Sequence, residues 1–220
     1  MAFSRGPKIV TDGLVFLLDA ANPKSYPGSG TTWYDLSGNG RNATFLDGAS
    51  ISNNTFNLDG SSDGAQIISF PGIWNGSVSM EGWFFFDVTN TRDILCGTYD
   101  STLDINFERH TSDRLRIYWN ADDNYSATGA APYNQWLHIV LIRDKENSKL
   151  LYYVNGSLNT ETSKSVTDYT TVETLRIGRD SRTDTTNMDG KIGFLKIYSK
   201  ALTATEVLQN YNATKGRFGL

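Results

Sequence analysis

Cysteine occurs once in this chain of 220 residues, histidine twice and proline five times. No apolar run approaches the 18 residues that a membrane-spanning helix needs. The lone Cys96 excludes an intrachain disulfide, and its setting in Asp93-Ile94-Leu95-Cys96-Gly97 suits a buried, inert thiol. Two separated histidines, with no cysteine at ligand spacing, leave nothing from which to build a zinc site. The 20 Lys and Arg are scattered among 24 Asp and Glu, for a formal net charge of −4. No basic run tracks a phosphate backbone, so nucleic acid is not an expected partner. The opening Met1-Ala2-Phe3-Ser4-Arg5-Gly6-Pro7-Lys8 has no apolar stretch followed by a small-residue cleavage site. Synthesis in a cytoplasm without export, and no membrane insertion, are the expectations.

The carboxylates are also sparse where chemistry would need them. A retaining glycoside hydrolase requires two carboxyl groups about 5.5 Å apart across its cleft. A strand supplies such a pair on one face in patterns such as E-x-D-x-x-E. The six glutamates never take that arrangement; Asp104 and Glu108, four apart on one strand face, come nearest. A solvated strand face explains that pair without chemistry. His138 lies inside an apolar strand, where a hydrogen-bonded core histidine is expected, and His110 has no Ser or Cys partner. An enzyme is therefore not expected.

What the chain does have is many short β-branched and aromatic runs separated by Gly, Asn, Asp, Ser and Thr. The clearest are residues 14–18, 65–70, 78–86, 93–98, 103–108, 115–119, 136–143, 149–154, 174–177 and 191–198. Asn155-Gly156 and Asp189-Gly190 offer the positive φ angles of tight turns. Met80-Glu81-Gly82-Trp83-Phe84-Phe85-Phe86 and Trp136 to Ile142 are apolar on both faces. Such strands are either central in a sandwich with the outer face covered, or part of an interface. One helix is expected, at about 203–212: Thr203 and Glu206 form a capping box, and Val207, Leu208 and Tyr211 follow at helical spacing. The expected organisation is an extension over 1–11 and one domain over 12–220.

Two groups of residues carry binding chemistry. In Trp33-Tyr34-Asp35-Leu36-Ser37-Gly38-Asn39-Gly40, the side-chain oxygens of Asp35, Ser37 and Asn39 alternate ahead of a glycine, as in the first half of a calcium loop. Leu46 stands where an EF-hand has its bidentate glutamate, so this is not an EF-hand. Asp59 and Asp63 could complete a Ca²⁺ site from a second loop; the alternative for both segments is a turn whose Asp and Asn bond their own backbone. Trp33, Tyr34, Trp74, Tyr99, Tyr125 and Tyr133 lie in or beside loops rich in Asn, Asp and Gly. Flat rings beside amides and carboxylates suit carbohydrate, and equally suit loop packing or a protein interface.

Taken in order, these segments resemble a family. Gly13 to Pro23 and Tyr34 to Gly40 are similar to the opening of laminin-G-like jelly-roll domains of the concanavalin A-like superfamily. Phe56-Asn57-Leu58-Asp59-Gly60, the strand from Ser77 to Phe86, Trp136-Leu137-His138 and Tyr152-Tyr153-Val154-Asn155-Gly156 continue the likeness. Leu175-Arg176-Ile177-Gly178, Gly190 to Tyr198, and Ala201-Leu202-Thr203 with Glu206 complete it, over about 12–215. The resemblance implies an all-β fold, a two-sheet antiparallel jelly-roll sandwich with one short C-terminal helix. Gly193 and Phe194 depart from it, standing where the family often keeps acids. The Asp19–Trp33 insert is similar to that of bacteriophage virion proteins. That implies a non-catalytic virion component, a capsid decoration or tail or fibre part, assembled in the host cytoplasm. Its expected partners are other virion proteins, a host surface glycan, and further copies of itself. The rival reading is a calcium-dependent carbohydrate-binding adhesin; a glycoside hydrolase is argued against by the missing carboxylate pair.

Overall fold

A computed structural model describes residues 7–87, 92–99, 104–180 and 186–220. Among them, strands numbered along the chain form two eight-stranded antiparallel sheets. The first runs in the order β14 (Ser157–Ser163), β13 (Lys149–Val154), β12 (Trp136–Asp144), β7 (Val78–Phe86), β16 (Asp189–Tyr198), β5 (Thr55–Asp59), β4 (Ser50–Ser52). Its eighth strand, β1 (Leu14–Asp19), pairs with the later half of β16, beyond the stretch that pairs with β5. The second sheet runs β11 (Asp122–Tyr125), β10 (Arg114–Trp119), β9 (Asp104–His110), β8 (Asp93–Tyr99), β15 (Glu173–Ile177), β6 (Gly64–Phe70), β3 (Ala43–Leu46), β2 (Thr32–Trp33). This is the expected jelly-roll sandwich.

The core fills the space between the sheets. Phe16, Phe56, Phe84 and Leu137 point into it from the first sheet, and Phe107, Ile117 and Leu175 from the second. Cys96 is fully buried in the same core, and burial pushes its thiol pKa up, which keeps it protonated. Asn155 and Gly156, at φ 48° and 79°, make the expected turn between β13 and β14. Asp189-Gly190 does not make the expected turn. Both residues open β16, and Gly190 faces Leu58 on one side and Phe86 on the other. Glycine is required there by close approach: a Cβ would sit 2.0 Å from the Phe85 carbonyl oxygen.

The runs that are apolar on both faces belong to β7 and β12, which are neighbours inside the first sheet. Their outer faces are covered by α1 (Ala204–Thr214), by the 3₁₀ helix Lys215–Phe218, and by Val10 ahead of β1. Thr203 caps α1 as the sequence requires: its hydroxyl accepts from Glu206 N–H (3.3 Å), and Glu206 Oε2 accepts from Thr203 N–H (2.9 Å). Val140, Ile142, Tyr153, Tyr198, Leu202 and Val207 pack with Val10 into a second apolar cluster.

A buried polar network docks this layer. Glu81 is fully buried; its Oε1 accepts from Lys196 Nζ at 2.7 Å and lies 3.1 Å from His138 Nε2. Its Oε2 accepts from Asn210 Nδ2 on α1 at 2.6 Å. Asn210 Oδ1 in turn accepts from the Val10 N–H at 2.7 Å. Burial alone would raise the Glu81 carboxyl; the Lys196 ammonium and the bond to His138 overcome this and bring it down to about 2. Beside it, Trp83 stacks on Phe218 with centroids 4.3 Å apart, and its indole N–H donates to Thr214 Oγ1 at 2.9 Å. The departure at Gly193 and Phe194 belongs to this packing. The β16 register shifts between Ile192 and Phe194, and a Cβ on Gly193 would lie 2.5 Å from the Phe218 ring.

Candidate functional site

The outer face of the second sheet is built by alternation. Ile105 and Phe107 of β9 and Leu115, Ile117 and Trp119 of β10 point into the core. Asp104, Asn106 and Glu108, and Arg114, Arg116 and Tyr118, therefore share the other face. Register sets Arg116 between Glu108 and Tyr125, and Tyr118 between Asn106 and Asp123. Tyr99 sits across from Asp104 and is exposed.

Fixed charges surround the rings on this face. Glu108 is fully buried; its Oε1 accepts from Arg92 (2.8 Å) and Arg116 (2.9 Å), and its Oε2 from Arg92 Nε (2.9 Å). Arg116 also pairs with Asp123 at 3.1 Å and lies over Tyr118, 4.7 Å from the ring centroid. Arg114 lies over Tyr125 at 4.2 Å, and His110 meets Tyr125 edge-on at 5.3 Å. Burial and the Arg116 guanidinium hold His110 below its ordinary pKa, so its ring is neutral at neutral pH. Asn106 Nδ2 donates to Asp104 Oδ1 at 2.8 Å. The arrangement offers ring faces, oriented guanidinium groups and compensated charge. Both oxygens of Glu108 are taken up by guanidinium groups.

The six aromatic residues expected at a binding surface separate into groups. Tyr99 and Tyr125 belong to this face; Tyr34 is exposed on a different loop. Trp33 and Trp74 are corrections: at 0% and 1% exposure they are core side chains. Trp33 packs on Phe56 at 4.9 Å and Trp74 on Phe70 at 6.1 Å, so neither can meet a ligand. Tyr133 packs against the core with the Arg109 guanidinium 3.6 Å over its ring.

The calcium loop does not fit a cation. Asp35 Oδ1 accepts from the N–H groups of Leu17 (3.0 Å) and Ser37 (2.9 Å). Its Oδ2 accepts from Ser37 Oγ (2.8 Å) and from Arg41 N–H (3.1 Å). Asn39 turns its Nδ2, a donor, toward Ser37 Oγ (2.9 Å) and Val15 O (3.2 Å). The loop is a clamp that ties itself to β1, the turn alternative of the sequence. Asp59 and Asp63 lie elsewhere: Asp59 accepts from Ser61 N–H at 2.9 Å, and burial with the charges of Asp59 and Asp47 raises the Asp63 carboxyl. Among the described residues, no three His, Cys, Asp or Glu side chains are grouped to hold a metal ion.

Residues that sequence reasoning missed here are Arg92, Arg114 and Arg116. Their signal was the spacing of two arginines on one alternating strand, opposite a tyrosine that only the sheet register supplies.

A two-sheet sandwich with a polar, aromatic outer face defines a lectin-type domain. The chain belongs to the concanavalin A-like lectin/glucanases superfamily, whose laminin-G-like family matches residues 59–208. No curated protein matches it in sequence. Among solved structures, a Trypanosoma rangeli sialidase in complex with sialic acid is similar, with a TM-score of 0.70 and 15% identity. The match covers 92% of this chain and 33% of the sialidase. A mutant of that sialidase displaying trans-sialidase activity gives a TM-score of 0.72 at 16% identity, over 98% of this chain and 35% of that one. The receptor-binding domain of botulinum neurotoxin C/D mosaic serotype gives 0.71 at 14% identity, over 92% and 51%. This chain thus spans about a third of the sialidases and half of the toxin domain. At these identities the likeness shows the fold alone.

Proposed function

We propose that this chain is a non-catalytic, lectin-like component of a bacteriophage virion, on the capsid or on a tail or fibre, whose β8–β11 face contacts host surface glycan. The observation that carries the recognition reading is Glu108, buried and held through both oxygens by Arg92 and Arg116 beside the rings of Tyr118 and Tyr125. A carboxylate held between two guanidinium groups organises a surface and fixes the direction of its charged hydrogen bonds. The virion assignment is supported by the similarity of the Asp19–Trp33 insert to that of phage virion proteins. Calcium dependence through Asp35, Ser37 and Asn39 is disfavoured by the occupied oxygens of Asp35.

A glycan array with and without EDTA, run on the wild type and on Tyr125→Ala, tests the recognition. Binding that survives EDTA and falls in the variant is expected; no binding in either condition would end this reading. Loss of binding in EDTA would favour the adhesin reading, with metal held elsewhere. Mass spectrometry of purified particles tests the virion assignment, which fails if the chain is missing from them.

A further inference from the structure

On the first sheet, away from the face just described, two clefts of about 280 and 250 Å³ adjoin through a shared wall of Ala21, Asn53 and Asn54. The segment after β1 lines one with Tyr26 and its neighbouring prolines. Trp136, Arg217 and Phe218 line the other. Four separate parts of the chain therefore meet here: the insert, the β4–β5 turn, the start of β12 at Trp136, and the C-terminal 3₁₀ helix.

The ring surfaces are held in place. Trp136 is half-buried, edge-on to Phe85 at 5.7 Å and tilted against Phe218 at 4.8 Å. Tyr26 packs on Phe45 at 5.6 Å, and its hydroxyl donates to Gly30 O at 3.3 Å. Between the rings stand two exposed amides. Asn53 and Asn54 take φ 52° and 63° in the two-residue turn of a hairpin, which lifts both side chains out of the sheet. Neither amide, nor the Trp136 indole N–H, has a hydrogen-bond partner among the described residues. Charge is compensated: Arg217 donates to Asp19 Oδ2 at 2.9 Å and lies 2.7 Å from Asp19 Oδ1, and it also donates to Gly193 O at 3.2 Å.

We infer that this groove binds a neutral saccharide, with two consecutive rings in the two adjoining clefts. Its occupant needs C–H faces for Trp136 and Tyr26, and hydroxyls for two amides and an indole N–H. The Asp19–Arg217 pair cancels the charge that would select an ionic ligand. A sugar satisfies all three requirements. An apolar peptide would leave the amides desolvated and unpaired, and an anion would meet a guanidinium already held by a carboxylate. This site is independent of the β8–β11 face and stands or falls separately.

The molecule supplies its own reporter. Trp33, Trp74, Trp83 and Trp119 are at most 1% exposed, so Trp136 is the one tryptophan that solvent reaches. Acrylamide quenching of tryptophan fluorescence therefore reads the groove directly. Maltose, cellobiose, lactose and N,N′-diacetylchitobiose, each at roughly 10 mM, well above a millimolar Kd, are the probes, with N-acetylneuraminate as the charged comparison. At least one neutral disaccharide is expected to protect Trp136 and to receive saturation-transfer NMR signal. Asn53→Gly/Asn54→Gly removes both amides and keeps the positive-φ turn; its Kd is expected to rise about tenfold or more, the loss of one good hydrogen bond. Tyr125→Ala should leave Trp136 protection unchanged. Protection by none of the neutral sugars, protection by N-acetylneuraminate alone, or an unchanged Kd in the folded double glycine variant would each overturn the assignment.

Discussion

Removing the charge of Glu81 should destabilise the domain far more than removing any exposed carboxylate. In Glu81→Gln the Lys196 ammonium stays buried at 2% side-chain exposure with its counter-charge gone, and one of the two acceptor oxygens that serve Asn210 (Oε2) and Lys196 with His138 (Oε1) is replaced by an NH₂ donor. The Glu81 carboxyl is brought from an ordinary 4.5 down to about 2 in the fold, which corresponds to about 3 kcal/mol of stability above pH 4.5. Breaking one side of a buried pair costs about 3–5 kcal/mol, the same scale. For a domain of this size that lowers Tm by about 6–20 °C. Urea unfolding followed by circular dichroism measures it, with Glu161→Gln as the control, since the Glu161–Lys149 pair is more than a third exposed on both sides. Glu81→Met/Lys196→Met removes both charges and should recover most of the loss. The pH dependence carries a definite sign. A carboxyl with a lowered folded pKa contributes above 4.5 and loses that contribution as pH falls toward 2, so wild-type stability drops through this window and the Glu81→Gln variant drops less. A Glu81→Gln midpoint indistinguishable from that of Glu161→Gln would refute the view that this network docks the helix.

Three further substitutions probe other parts of the structure. Asp35→Ala frees four donors at the clamp on β1 and should cost about 2–3 kcal/mol in urea unfolding, whereas EDTA should leave the wild-type midpoint in place; a midpoint that falls in EDTA would restore a metal to this loop. Gly190→Ala forces a methyl against the Phe85 carbonyl, and a loss above about 3 kcal/mol, or failure to fold, is expected by thermal scanning; a stability unchanged within about 0.5 kcal/mol would contradict the strand assignment. Thr203→Ala removes the cap of α1 and should lower stability by about 1 kcal/mol, with hydrogen exchange accelerating in α1 before the core strands.

The expected strands were those whose inner faces had to be apolar, and nearly all lie where alternation and β-branching placed them. β2, β3, β4, β5, β11 and β14 were not legible. Asp122-Asp123-Asn124-Tyr125 and Ser157 to Ser163 are polar strands at sheet edges, held by pairing along one side only. Each is the second arm of a hairpin, paired to the strand just before it (Trp119 opposite Asp122, Val154 opposite Ser157), and its polar composition carries no apolar alternation to mark it as a strand. Trp33 and Trp74 looked like display residues because their neighbours are loop-formers, yet Trp33 lies on the short strand β2, Trp74 on the segment after β6, and both side chains are buried in the core. Glu81 looked like an interruption of an apolar strand. Its meaning depends on Lys196 lying opposite it on β16 and on His138 one strand over, which are properties of the assembled sheet.

The helix that covers β7 and β12 also decides how the molecule can be handled. Val10 is bonded to Asn210 and Tyr198, so the described N-terminal segment and the C-terminal helix lie together on one side of the sandwich. Phe218 walls the saccharide groove only two residues before Leu220. Any tag or immobilising linker joined at Leu220 therefore begins beside the groove and crowds it. The β8–β11 face belongs to the opposite sheet and would be left clear. A sensor chip loaded through Leu220 would then report one face of this protein and mask the other.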